Sequence, residues 1–439
     1  MDTVKNVKQT IWGYRYWILA IVWLLYLINY LDRIAVLTCL PYIQADLKLT
    51  PHEVGWLGSI FFLGYAIAQF IAGYLADHYG SKKTMSIAIL VFTFFTFITG
   101  FVRSFGMFIA VRFGLALGEG QHYIPALKTI ANWFPNKEKG RATSLFSTTW
   151  LLAPAICPLI ISFMLAVFFA GNWRPVFFVL ALPGLVGVFI LWKYVSDTPK
   201  GMYDKGYVSN EEFDYIKKAH GDSETYDTTS YKLSIFLKDY QFYCIVIQWF
   251  FQQMIFWGMT SWITMFLVRQ HSFNIKTMGI YASIPYIVAV AASLIGGYLL
   301  DKVFHQRIRP ICIFAYLGCI PILYSLGQVE TGNTGTLLVL LVLSGAFVNM
   351  QWSCLQSYPI MRYPRQVVGR VMGIVNGCAY FGAFLSPLLA GYIVKVLPSG
   401  QYDFSNVFIF WSILAVIAGI ATLFLGGKPI DPKPYEIRT

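Results

Sequence analysis

Along the 439-residue chain, apolar residues gather into twelve long runs: 17–40, 54–76, 84–102, 105–127, 142–168, 174–195, 241–268, 278–300, 311–327, 335–358, 368–395 and 405–426. Short polar or Gly/Pro-containing connectors separate them. A helix needs about 20 mainly apolar residues to cross a bilayer. The pattern therefore predicts an all-α integral membrane protein with twelve transmembrane helices. The one long polar stretch, residues 196–240, contains Glu211, Glu212, Asp214, Lys217 and Lys218 and divides the runs six and six. The expected organisation is an N-terminal six-helix half over 1–195, a cytoplasmic linker over 196–240 and a C-terminal six-helix half over 241–439. A repeat supports this division. Gly73-Tyr74-Leu75-Ala76-Asp77 closes the second run and Gly297-Tyr298-Leu299-Leu300-Asp301 closes the eighth, each ahead of a basic cluster. Glycine at a helix end permits close packing, and an Asp at the membrane boundary can cap a helix or pair with a base across the interface between halves. Gly73, Asp77 and Asp301 are accordingly expected to take part in conformational gating. Two similar halves with a site between them is the plan of a secondary transporter.

Composition agrees with the pattern. Residues are 57% hydrophobic and 12% charged, about half the charge of an ordinary soluble domain. Lys and Arg number 33 against 21 Asp and Glu, for a net charge of +12. The basic residues form short clusters between apolar runs, not a soluble face or arm, which argues against a nucleic-acid partner. Most fall on one side, with both termini. Lys48, Arg103, Arg174, Arg269, Lys276 and Lys395 fall on the other. The positive-inside bias then predicts cytoplasmic N- and C-termini, and the expected location is a bacterial inner membrane. The first run is too long for a signal-peptide core and holds Asp32 and Arg33, so it is expected to remain in place. Seven cysteines lie in or beside apolar runs without a Cys-x-x-Cys pair, the pattern of small buried hydrophobes and not of a metal site.

Two acids, Asp32 and Glu119, and two arginines, Arg33 and Arg112, lie well inside the apolar runs. An ionisable group at the bilayer centre costs at least about 2.5–3.5 kcal/mol on insertion scales, so these four need partners or a wet cavity. Helical spacing puts Tyr30 and Arg33 on one face and turns Asp32 toward a neighbouring helix; Arg112 and Glu119, two turns apart, share a face. One reading is a neutral network that merely joins two helices. The other is a transport site, in which the planar fork of Arg33 binds a substrate carboxylate while Asp32 and Glu119, with Arg112, handle protons. A monoanion entering against an inside-negative potential of 100 mV loses about 2.3 kcal/mol, which one accompanying proton cancels.

The run Gly73-Tyr74-Leu75-Ala76-Asp77-His78-Tyr79-Gly80-Ser81-Lys82-Lys83 resembles the loop signature of the major facilitator superfamily, with His78 and Ser81 in place of its arginines. Asn29-Tyr30-Leu31-Asp32-Arg33, Arg112, Glu119, Asn132-Trp133-Phe134-Pro135, Glu138 and Arg141 together resemble the anion:cation symporter family. That family includes bacterial sugar-acid carriers and animal vesicular glutamate and sialic acid transporters. The resemblance spans nearly the whole chain. It implies the major facilitator fold, proton coupling through Asp32 and Glu119, and substrate recognition by Arg33. It also matches Tyr65 to a substrate-contacting tyrosine and Asn376 to an asparagine that binds hydroxyls; Asn349 and Trp352 are similarly placed in the tenth run. Trp150 departs from the pattern, standing where galactonate-type carriers have glutamine, and would shrink the site. Gln121 and His122 replace small residues.

The expected function is a proton-coupled importer of an organic monocarboxylate, a sugar acid of the hexonate or hexuronate type, working by alternating access. No cofactor is expected beyond protons as coupling ions, and the partners are a small organic anion, the lipid bilayer and no second protein, the chain acting as a monomer. An organic-phosphate or other organic-anion antiporter of the same fold is the alternative. An enzyme is not expected, since no metal-ligand spacing, Ser/His/Asp set or phosphate-binding Gly loop is present.

Overall fold

Helix boundaries follow local chemistry. Thr50 caps the second helix and Glu53 returns the bond, with Pro51 opening the first turn. Ser104, Asp239, Asn274 and Asn333 cap later helices with their side chains. The computed structural model describes residues 13–221, 230–231, 234–363, 365–426 and 437–438. The helices are α1 (Tyr14–Leu47), α2 (Pro51–Tyr79), α3 (Ser81–Thr99), α4 (Phe105–Gly120), α5 (Tyr123–Trp133), α6 (Asn136–Ser147), α7 (Thr149–Phe163) and α8 (Arg174–Tyr194). In the polar stretch come α9 (Lys200–Tyr203), α10 (Asn210–Gly221) and α11 (Ser234–Leu237). Then follow α12 (Tyr240–Met265), α13 (Ile275–Tyr298), α14 (Ile308–Gly327), α15 (Thr334–Asn349), α16 (Trp352–Arg362), α17 (Arg365–Ile393) and α18 (Ser405–Leu423). Two small antiparallel pairs join Ser230–Tyr231 to Ile437–Arg438 and Lys395–Val396 to Tyr402–Asp403. The basic residues Lys5, Lys8, Lys232, Lys428 and Lys433, used above for orientation, lie outside the described residues.

Among the described residues, ten helices are long and apolar enough to cross a membrane. The two expected runs that do not qualify are 105–127 and 241–268. The first is broken at Gln121-His122 into α4 and α5. The second, α12, carries Gln241, Gln248, Gln252 and Gln253, all buried. A second break, at Met350-Gln351, divides α15 from α16. The two broken runs match each other: 16 residues then 11 in the first, and 16 then 11 in the second. The Phe134-Pro135 and Tyr363-Pro364 pairs that follow them extend the repeat beyond the glycine-rich motif. Non-helical backbone at membrane depth survives where it lines a cavity or is buried in protein.

Helices α1–α8 pack among themselves through α2 with α4, α3 with α4 and α8, and α1 with α7; α12–α18 pack through α12 with α17 and α18, α13 with α15, and α14 with α18. The two groups meet along α2–α17, α7–α13 and α1–α12. Away from the end bearing residues 13 and 426, the α2–α17 contact is backbone on backbone. A Cβ on Gly55 would sit 2.8 Å from the Pro387 carbonyl oxygen, and one on Gly391 2.7 Å from that of Pro51. Nearby, Thr264 donates to the Leu37 carbonyl at 2.7 Å and Arg269 to Gln44 at 2.9 Å. This end of the bundle is shut. Gly55→Val should push α2 off α17 and open it, raising the labelling of Ser261→Cys by an impermeant thiol reagent severalfold over the native thiols, because Ser261 packs against Gly58 in the same contact.

At the opposite end the polar stretch is sewn onto the bundle. Gly13 offers α1 no side-chain cap. Glu212 of α10 takes that place, accepting from the Tyr14 and Arg15 backbone N–H groups at 2.7 and 3.1 Å, a favourable site for negative charge. Arg15 also bonds Glu212 and Glu138 through its side chain. The Asn132-Trp133 motif holds the carbonyls of Asp197 and Ser196, and Asp197 accepts from the Lys82 N–H at the start of α3 at 2.6 Å. On α12, Asp239 binds Arg362 at 2.7 and 2.9 Å and Tyr363 at 2.8 Å. Burial pushes the Asp239 carboxyl up, but these donors win and hold it below its ordinary 3.8. Its contribution is therefore full above pH 4 and is lost as pH falls through the lowered folded value. Asp239→Ala should reduce the thermal midpoint by about 1–3 °C at pH 7, with the difference shrinking below pH 3.

Candidate functional site

The four intramembrane charges converge. Arg33 on α1 and Glu119 on α4 form an ion pair, Nε to Oε2, at 3.0 Å with both side chains fully buried. The guanidinium carbon lies 4.2 Å from the Tyr30 ring centroid, 4.5 Å from Tyr65, 4.6 Å from Phe61 and 5.8 Å from Trp257, a cage of aromatic faces that stabilises a desolvated cation. Its two terminal nitrogens, Nη1 and Nη2, have no hydrogen-bond partner among the described residues. Asp32, turned about a quarter circle away as its spacing predicts, accepts from Thr96 of α3 at 2.8 Å and is 2% exposed.

Arg112 does not pair with Glu119, despite sharing its helix face. It donates to the backbone carbonyls of Leu57 and Arg33 at 3.4 and 3.3 Å and also lies over the Phe61 ring, 4.7 Å from the centroid. Glu119 has turned instead to α1. Helical periodicity shows which residues share a face of one helix; it does not show which neighbour that face meets.

Against this cluster lies a cavity of about 180 Å³. Tyr26 and Tyr30 of α1, Gln69 of α2, Tyr123 of α5, Ser147 of α6 and Trp150 of α7 line one side. Trp249, Gln253, Phe256 and Trp257 of α12, Trp352 and Gln356 of α16, and Met372, Asn376 and Tyr380 of α17 line the other. Gln356, toward the end bearing residues 13 and 426, is exposed, so the cavity faces that end while the opposite one is shut.

Of the residues singled out from sequence, Tyr30, Trp150, Trp352 and Asn376 line the cavity. Tyr65 is fully buried one layer behind, packed on Tyr380 with centroids 5.0 Å apart. Asn349 stands apart from the cavity wall: its amide donates to the Gly345 carbonyl at 3.0 Å and its oxygen accepts from the Trp352 indole at 3.1 Å. It orients a lining residue. Reasoning from sequence passed over Tyr26, Ser147, Trp249, Gln356 and Tyr380, which are ordinary membrane-helix residues until the helices are assembled. Two lining residues do sit beside the helix breaks: Tyr123 directly follows Gln121-His122, and Gln356 lies within the helix that follows Met350-Gln351.

The repeat motif behaves unequally. A Cβ on Gly73 would meet nothing within 4 Å, so no close packing occurs there. The tight approach is at Gly296, where a Cβ would collide with the Met350 carbonyl beside the second helix break. Asp77 bonds Lys128 at 2.6 Å. Its counterpart Asp301 is exposed in a widened turn and has no ion pair among the described residues. His122, one of the two residues that replace small ones, is fully buried edge-on to Tyr26, and neither ring nitrogen has a hydrogen-bond partner among the described residues.

A helical bundle with broken helices around a mid-membrane cavity, shut at one end and open at the other, defines a membrane transporter. The family model for the Major Facilitator Superfamily matches residues 22–332 and 319–438, and the chain belongs to that superfamily. It is 26% identical to the "Probable galactarate/D-glucarate transporter GarP" of Escherichia coli (strain K12), over 100% of this chain and 99% of that one. It is 26% identical to the "Hexuronate transporter" of Bacillus subtilis (strain 168), covering 93% of each, and 25% identical to the "Probable sulfoacetate transporter SauU" of Cupriavidus necator, covering 97% of each. Among solved structures, a bacterial homolog of the human lysosomal transporter Spinster, inward-facing, superposes with a TM-score of 0.76 at 16% identity, covering 93% of this chain and 96% of that one. A D-xylose-proton symporter gives 0.76 at 14% identity, covering 94% and 97%. At such identities the structures speak for the fold alone.

Proposed function

We propose that the protein imports an organic monocarboxylate, a sugar acid of the hexuronate or hexonate type, together with protons across a bacterial inner membrane. The carrying observation is the state of Arg33: one nitrogen is bonded to Glu119, while two are spare, one ring's thickness from the cavity. A guanidinium so placed can be shared between an acid and a substrate. When Glu119 takes a proton, its hold on Arg33 weakens and the fork can turn to a carboxylate in the cavity; binding and protonation are then linked. Asp32, on the neighbouring face, offers a second proton site. The halves 1–195 and 241–439 would rock about this point, with both termini cytoplasmic and the observed cavity open inward. Asp77 and Asp301 would contribute to gating at that cytoplasmic end. The relatives' sugar-acid and sulfonate substrates support an organic anion of this size.

Organic-phosphate exchange fits less well. A phosphate dianion calls for two cationic groups facing one cavity, and Arg112 is held by backbone carbonyls and lies over Phe61. The test is uptake of labelled hexuronate and hexonate by proteoliposomes containing the purified protein. An inwardly directed proton gradient should drive accumulation, and no response to the gradient overturns the symport reading.

A further inference from the structure

Relatives of almost equal identity are named for hexarates and for hexuronates, so likeness does not choose between a doubly charged open chain and a singly charged ring. The cavity does bear on the choice. No Lys, Arg, His, Asp or Glu is among its lining residues. The one guanidinium behind the wall serves one carboxylate, and a second carboxylate would lie partly desolvated against indoles and amides, at a cost that uncompensated buried charge makes large.

The aromatic rings add a shape preference. Trp150 and Trp352 touch edge to face in the cavity wall, with centroids 4.6 Å apart and planes at 73°. Phe256 meets Trp150 at 5.7 Å and 69°, and Trp352 at 6.1 Å and 82°. All three pairs pack edge to face. All three rings are among the residues that line the cavity, so its wall at this corner is aromatic. Trp352 is pinned in this attitude by the Asn349 oxygen, which is itself fixed through Gly345. A pyranose or other six-membered ring can lay its apolar face on such a surface with its torsions already fixed, whereas an open six-carbon chain must freeze several on binding.

We infer that the Trp150–Trp352 corner, set by Asn349, is the specificity element of this carrier and that it selects a monoanion bearing a ring over an open-chain acid, most strongly over a diacid. The inference rests on the reading of the cavity as the substrate site. It is tested by thermal shift of the purified protein at pH 7 with galacturonate, galactonate and galactarate. Galacturonate should stabilise at a concentration at least tenfold lower than galactonate, and galactarate should require at least a hundredfold more than galacturonate. Trp150→Gln and Trp352→Leu, made separately, should each bring the ratio of galacturonate to galactonate affinity close to one. Asn349→Ala, removing a positioning residue, should reduce the same ratio without abolishing binding. Equal or better stabilisation by galactarate overturns the inference, as does a loss in the tryptophan variants that is proportionate for all acids. If galactonate binds and the ring confers no advantage, the selectivity fails and the sugar-acid site stands. If none of the three binds, the sugar-acid reading itself falls.

Discussion

Glu119→Gln is expected to abolish proton-driven accumulation while leaving exchange of labelled for unlabelled substrate at a substantial fraction of the wild-type rate. The amide keeps an oxygen that can accept from Arg33 Nε, so the contact at 3.0 Å becomes a bond from a charged donor to a neutral acceptor, the same state that protonated Glu119 gives in the wild type. What is lost is a group whose charge changes when it takes a proton. In the wild-type protein one proton per substrate lets each pH unit of gradient support about a tenfold solute ratio. In the variant the inside-to-outside ratio should fall toward the value set without the gradient. The sign of the pH effect follows the same logic. Protonating Glu119 releases Arg33, so acid pH should tighten substrate binding in the wild type, and Glu119→Gln should bind with an affinity that depends much less on pH, Asp32 being the acid that remains. Both quantities are read from flux and from thermal shift across a pH series. Unchanged accumulation would remove Glu119 from coupling.

Arg33→Ala should be more damaging still. Substrate would lose a bidentate, charge-assisted partner, about 3 kcal/mol or near 100-fold in Kd, and Glu119 would be left fully buried opposite an apolar cage. Arg33→Lys is not expected to rescue it. Lysine has a single ammonium that cannot hold Glu119 through one nitrogen and present a planar fork through two others, and it lacks the flat guanidinium that lies among Tyr30, Phe61 and Tyr65. Tracer exchange at saturating and limiting substrate separates the two effects. A lysine variant with wild-type affinity would show that Arg33 is only a packing cation.

The two variants also divide the neutral-network reading from the transport reading. A network that merely joins α1 to α4 predicts loss of stability from either change and no particular pH behaviour. Sharing of Arg33 between acid and substrate predicts opposite outcomes for binding: weakened without the arginine, and much less dependent on pH without the acid.

The membrane class and the four buried charges were legible along the chain because each is local: a bilayer requires apolar runs of fixed length, and any charge within one is conspicuous. Asp32 turning away from Arg33 was legible too, since it depends on one helix's pitch. The partnering of the charges was not. Glu119 shares a face with Arg112 yet binds Arg33, because α4 packs where its seventh-residue neighbour is taken up by the carbonyls of Leu57 and Arg33. Asn349 reads from sequence as a ligand contact; in the structure its side chain bonds Gly345 and Trp352 and is not among the residues that line the cavity. Gly73 looked like a packing glycine and has open space beside it, while Gly296, one residue before its repeat counterpart Gly297, carries the close approach.

By itself, then, the sequence determined that this chain lies in a membrane, that its polar residues are too costly there to be idle, and which ones they are. Tertiary structure alone decided which of them face a common space, which end of that space is shut, and that its wall is built of uncharged aromatics and amides with one cation just behind. The physical reason is that apolar periodicity records the solvent each residue meets, whereas a site is made by contacts between helices distant in the chain, and those are settled only when the helices pack.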